Sequence, residues 1–209
     1  LNALIAARHN AGLSSDPNSV LLISEDAHSS FIKCSRIMGL DETNLVRIKT
    51  DNKGCMDIKN LTETIDKCSQ INKKIIAIVA TLGTTVRGAI DPIKEISRIC
   101  KERNIWLHID GSIGGIFAIT SIPIEGLKNV NQANSITINP QKIIGITKTS
   151  SLLLVSDMST LENTFYTGLP YISSKENIIN RGELGIQGSR PAEVIKLWLG
   201  LRFLGLKGI

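Results

Sequence analysis

The feature that most constrains this chain is a repeated change of hydrophobic period. Short runs rich in Ile, Val and Leu, at 20–24, 45–49, 75–80, 105–110, 135–139 and 151–155, read as strands. Stretches with apolar residues three or four apart lie between most of them. After Asp91, which is placed to cap free amides, Pro92 suits a first helical turn, and Ile93, Ile96 and Ile99 or Cys100 share one face. Helices are also expected over 1–13 and 191–204. Alternation of this kind predicts an α/β fold, a mostly parallel sheet with helices on both faces, which binds ligands beyond the carboxyl ends of its strands. The 209 residues suit one domain, and a hydrophobic share of 42% supports a buried core. The Gly-, Ser- and Asn-rich segment 165–188 is expected to be a long loop, of the kind that serves as a lid or binding loop.

Composition removes several classes of function. The longest apolar runs, such as 75–80, fall far short of the ~20 residues that span a bilayer. The first residues lack the charged start and small-residue cleavage site of a signal peptide, and the chain has no initiator Met, so it is expected to begin inside a longer protein. A cytoplasmic, membrane-free protein is the expectation. The net charge is +5, but only Lys73 and Lys74 are adjacent among the basic residues, which favours a small anionic ligand over nucleic acid. Cys34, Cys55, Cys68 and Cys100 are scattered and form no CxxC pair, which disfavours a metal site or a disulfide framework.

Three strand ends carry the candidate chemistry. In WLHIDGS, Asp110 ends an apolar strand, and the small residues Gly111, Ser112, Gly114 and Gly115 let a flat ligand approach the backbone. In SITINPQK, Asn139 is followed by Pro140, Gln141 and Lys142, so the lysine is placed to reach the same crevice. In SEDAHSSF, His28 follows a strand and precedes a helix, where an imidazole is able to stack on an aromatic ligand. Each signal alone is weak: a strand-end Asp is commonly a turn residue, a lone Lys a solvated charge, a lone His a structural residue. Their order and spacing give them weight.

The ordered set DAHSSF, ATLGTTVRGAIDPI, WLHIDGSIGG and NPQK with KTSSLLLV resembles the group II pyridoxal-phosphate-dependent amino acid decarboxylases, through nearly the whole chain. The resemblance implies the large domain of the fold type I, aspartate aminotransferase-like enzymes, with pyridoxal 5'-phosphate as cofactor. It places Lys142 where the family carries the cofactor as a Schiff base; Lys148 is the nearest competitor. Asp110 matches the aspartate that pairs with the pyridine nitrogen, His28 the histidine on one ring face, and Ser112 the small residue on the other. Thr85 aligns near the ring hydroxyl and substrate carboxylate, and Asn139 with a phosphate contact, while Thr81 and Thr84 are weaker candidates. Tyr171 aligns with the loop tyrosine that protonates the carbon after carbon dioxide leaves, and Tyr166 competes with it. Gln141 replaces the usual histidine before the lysine, so altered tuning of cofactor contacts is expected. The family's Gly-Gly-Ser/Thr phosphate loop and C-terminal small domain are expected outside 1–209. The resemblance also implies a homodimer with a shared active site, in which Ser189 and Arg190 approach the neighbour's cofactor. Two alternatives stay open: a carbon–carbon lyase of the sphingosine-phosphate type, and a non-catalytic fragment.

Overall fold

Every apolar run named above forms a strand, because residues branched at Cβ fit a pleated surface covered on both sides. The computed structural model describes residues 1–168 and 180–209. In chain order the elements are α1 (Asn2–Asn10), β1 (Val20–Ser24), α2 (Ser30–Ile37), β2 (Leu45–Ile48), α3 (Ile58–Gln70), β3 (Ile75–Thr81) and α4 (Ile93–Arg103). They continue with β4 (Trp106–Asp110), β5 (Ser135–Ile138), α5 (Pro140–Ile143), β6 (Leu152–Val155), α6 (Ser159–Phe165) and α7 (Glu193–Gly208).

The strands form one sheet in the order β2-β1-β3-β4-β5-β6. Strands β1 to β5 are parallel, and β6 pairs antiparallel to β5. Strand periodicity sends alternate residues to opposite covers. Val20, Leu22, Leu107 and Ile109 pack with Leu61 and Ile65 of α3 and Ile93 and Ile96 of α4. Leu21, Ile23 and Trp106 pack with Leu4 and Ala7 of α1 and Phe31 of α2 on the other face. The chain leaves β1 for β2 on one side and later returns to β3 on the other. That reversal opens a crevice at the carboxyl ends of the central strands.

Three local expectations need correction. Asp91 does not cap α4, whose N-cap position is Pro92 without a side-chain bond. Its carboxylate turns inward and accepts the backbone N–H groups of Met56 and Thr81, each at 2.7 Å, because those buried donors have greater need of it than an exposed helix start. The first helix spans Asn2–Asn10 rather than 1–13, since the chain reverses through Gly12 at φ +69°. The last helix runs on to Gly208 across a non-helical Gly205. Among the described residues no helix is long and apolar enough to cross a membrane.

Candidate active site

Four strand ends converge on a crevice of about 290 Å³, lined by His28, Ser30, Thr81, Gly83, Thr84, Thr85, Asp110, Ser112, Ile113, Asn139 and Lys142. The walls come from the turn after β1, the turn after β3, the turn after β4 and the start of α5. Glycine is required where two of these turns touch. Gly114 donates its N–H to the Leu82 carbonyl at 2.9 Å, and a Cβ at Gly114 would collide with that same carbonyl.

Asp110 lies at the floor and is 9% exposed. One carboxylate oxygen accepts the Ser112 N–H at 3.1 Å, while Oδ2 has no hydrogen-bond partner among the described residues. Thr81 is its register neighbour on β3. Both backbone groups of Thr81 are bound to Asp91, yet its hydroxyl is buried with no partner. Burial pushes the Asp91 carboxyl up to about 6, against the pull of the Thr81 and Met56 N–H groups. The Thr84 hydroxyl accepts from Ala89 N–H at 3.0 Å, which closes the turn and leaves Thr85 exposed beside it.

His28 is exposed at the rim. Its Nδ1 accepts the Ser30 N–H at 3.2 Å and lies 2.9 Å from the Ser30 hydroxyl. A backbone N–H can only donate, so the neutral ring carries its proton on Nε2. Asn139 Oδ1 accepts from Ser151 Oγ at 2.7 Å, which leaves the amide NH2 as a donor. Lys142 is exposed in α5, and its amine has no hydrogen bond or ion pair among the described residues.

The crevice thus brings together Lys142, Asp110, His28, Thr85, Ser112 and Asn139. Gln141 is not brought there. Its side-chain oxygen accepts the Ser150 N–H and ties α5 to the segment before β6. Lys148 is exposed, away from the lining, and its carbonyl accepts from Lys196 Nζ at 3.1 Å. Tyr166 ends α6 exposed and does not line the crevice; Tyr171 lies outside the described residues. Ser30, Gly83 and Ile113 were not anticipated as lining residues. The two-residue spacing of Ser30 from His28 at a helix start was the available signal for the first.

Comparison with known proteins gives the same region a family. Residues 7–209 match the pyridoxal-dependent decarboxylase conserved domain. The acidic amino acid decarboxylase GADL1 of Xenopus tropicalis is 31% identical over 203 residues, covering 95% of this chain and 40% of that protein. The chain therefore spans about two fifths of this curated relative. The mouse CSAD crystal structure superposes with a TM-score of 0.89 at 26% identity, covering 99% of this chain and 45% of that one. The Oryza sativa TDC structure with PLP and tryptamine shares the fold at a TM-score of 0.92 and 23% identity, covering 99% of this chain and 45% of its own. With the parallel sheet and its crevice, these matches show that the chain belongs to the pyridoxal-dependent decarboxylase family and has its fold type I architecture.

Proposed function

We propose that residues 1–209 form the cofactor-binding large domain of an enzyme that decarboxylates an L-amino acid, with Lys142 as the residue that holds pyridoxal phosphate covalently. One observation carries this reading: an unpaired amine, an unpaired carboxylate oxygen and an orphaned buried hydroxyl line the same crevice, at Lys142, Asp110 and Thr81. A buried polar group is rarely left without a partner, so the Thr81 hydroxyl points to a polar ligand, and the amine and carboxylate oxygen beside it are free to bind one. The donor chemistry fits pyridoxal phosphate in particular. Lys142 offers an amine to an aldehyde, Asp110 an acceptor to a ring N–H, and Asn139 an amide donor to a phosphate.

Bound there, the cofactor supplies an electron sink for the bond to the substrate's carboxylate. The residues supply the rest. Asp110 would hold the proton at the ring nitrogen, and His28 and Ser112 would hold the flat ring. Thr85 contacts the ring hydroxyl and the substrate carboxylate. Lys142 would hold the cofactor covalently through its side-chain amine. A loop tyrosine, Tyr171 with Tyr166 as competitor, delivers a proton to the carbon that has lost its carboxylate.

A cytoplasmic homodimer is part of the same proposal. Its support is the resemblance together with an apolar face on α7, where Val194, Ile195, Trp198, Leu199 and Phe203 are all more than half exposed. Ser189 and Arg190, just before that helix, are exposed as well.

The test is to supply the full-length protein and pyridoxal phosphate with a panel of L-amino acids. Carbon dioxide with the matching amine is the expected product of at least one. An aldehyde from carbon–carbon cleavage without carbon dioxide, or no turnover of any substrate, contradicts the proposal.

A further inference from the structure

The short helix that carries Lys142 begins on a residue that does not cap it. Asn139 holds the N-cap position of α5, where an asparagine side chain ordinarily accepts a free N–H of the first turn, yet it makes no side-chain cap bond. The N–H of Lys142 goes instead to the Asn139 backbone carbonyl at 3.0 Å. The Asn139 side-chain oxygen reaches across to the residue just before β6, where it accepts the Ser151 hydroxyl at 2.7 Å.

Ser151 is held in place from both sides. Strands β5 and β6 run antiparallel with Ile138 opposite Leu152, so the next pair outward is Asn139 with Ser151. On the other side, Ser150 is buried at 4% exposure, and its N–H is bound by the Gln141 side-chain oxygen. The side chains at 139 and 141, on either side of Pro140, thus bind consecutive residues of the segment that leads into β6.

An amide carries its oxygen and its NH2 on opposite sides of one planar carbon, so fixing one fixes the other. Asn139 lines the crevice and Ser151 does not. With Oδ1 engaged by Ser151, the NH2 is turned from that side, and it has no partner among the described residues. An amide rotated by half a turn would present its oxygen instead, which repels an anion. We propose that Ser151 is a positioning residue, whose hydroxyl holds the Asn139 amide with its NH2, not its oxygen, toward the phosphate of the cofactor. The proposal rests on reading Asn139 as a phosphate contact. A bond that merely closed the corner between β5 and β6 would add stability without distinguishing a ligand that has a phosphate from one that lacks it.

The test compares the binding of pyridoxal phosphate and of pyridoxal, which has no phosphate, to the cofactor-free full-length protein, each followed by its absorption band. Wild-type protein is expected to prefer the phosphorylated form. Ser151→Ala should reduce that preference roughly tenfold, weakening pyridoxal phosphate with little change for pyridoxal. Ser151→Thr, which keeps the hydroxyl, should restore the preference, and Ser151→Val, which has threonine's shape without the hydroxyl, should not. Asn139→Ala should reduce it at least as much as Ser151→Ala, and the double variant should lose nothing more, because the serine acts only through the amide. Serine variants that weaken both ligands alike, that lose only thermal stability, or whose loss adds in full to that of Asn139→Ala overturn this proposal and leave the site reading standing. Unchanged preference in Asn139→Ala overturns the reading of Asn139, and this proposal with it. A wild-type protein that shows no band with pyridoxal phosphate overturns the site reading as a whole.

Discussion

Two hollows open at opposite ends of the sheet, and the larger one has the weaker claim to chemistry. At the amino ends of β1, β2 and β3, Pro17, Asn18, Arg36, Gly39, Leu40, Asp41, Thr43, Asn44 and Lys73 surround about 570 Å³, against about 290 Å³ at the carboxyl ends. The polar groups of the larger hollow answer one another. Lys73 Nζ donates to Asn44 Oδ1 at 2.7 Å, Asn44 Nδ2 to the Pro17 carbonyl at 2.8 Å, and Arg36 pairs with Glu42 at 2.5 Å. In the smaller one Lys142, Thr81 and Asp110 Oδ2 have no such partners. A cavity's size reports how elements fail to meet; groups left unsatisfied report what the cavity is built to receive.

Matched substitutions in the two hollows test that contrast. The largest effect is expected from the two lysines: Lys142→Ala should cut carbon dioxide release by about a thousandfold or more, since a covalent step is lost, whereas Lys73→Ala should leave it within about twofold. Equal losses would remove the contrast. Next, Asp110→Ala is expected to lower kcat roughly a hundredfold while weakening cofactor binding much less, as measured by titration of the absorption band.

Thr81→Val sharpens the comparison further. It removes an orphaned hydroxyl, so it should hold or raise stability by up to about 1 kcal/mol in denaturant melts, yet lower kcat/KM by roughly tenfold. Asn44→Ala should do the opposite, destabilising by about 1–2 kcal/mol through two lost hydrogen bonds without an effect on turnover.

The smallest effect is a pH slope. The folded-state pKa of His108 is depressed, so the unfolded chain binds the extra proton first as pH falls. Its contribution to stability is intact above about 6.5, the ordinary histidine value, and is lost as pH drops below it, by at most about 1.4 kcal/mol per pH unit for one proton. The slope between pH 6.5 and 5 should be steeper in wild-type protein than in His108→Gln. Asp91 works in the other sense: its folded-state pKa is raised, so its contribution is greatest at low pH and falls as pH rises toward about 6.

The strands were legible because each is a short run dominated by apolar residues, and strand ends in such a sheet point to the crevice before any coordinate is known. Asp110, Lys142 and His28 were found that way. What escaped depended on which of several possible partners a polar side chain takes. Asp91 before Pro92 has the local signature of a cap, but two buried N–H groups distant in sequence, from Met56 and Thr81, claim it instead. Gln141 sits beside the lysine in sequence, yet a helical turn directs it to Ser150. The contacts of His108 with Ser135 and Thr137 need the register of β5 against β4, a pairing that no local pattern contains.

The most direct measurement is borohydride reduction of the full-length protein with bound pyridoxal phosphate, followed by peptide mass mapping. A single modification on Lys142 is the expected result. A label on Lys148, or no lysine labelled at all, would contradict the account.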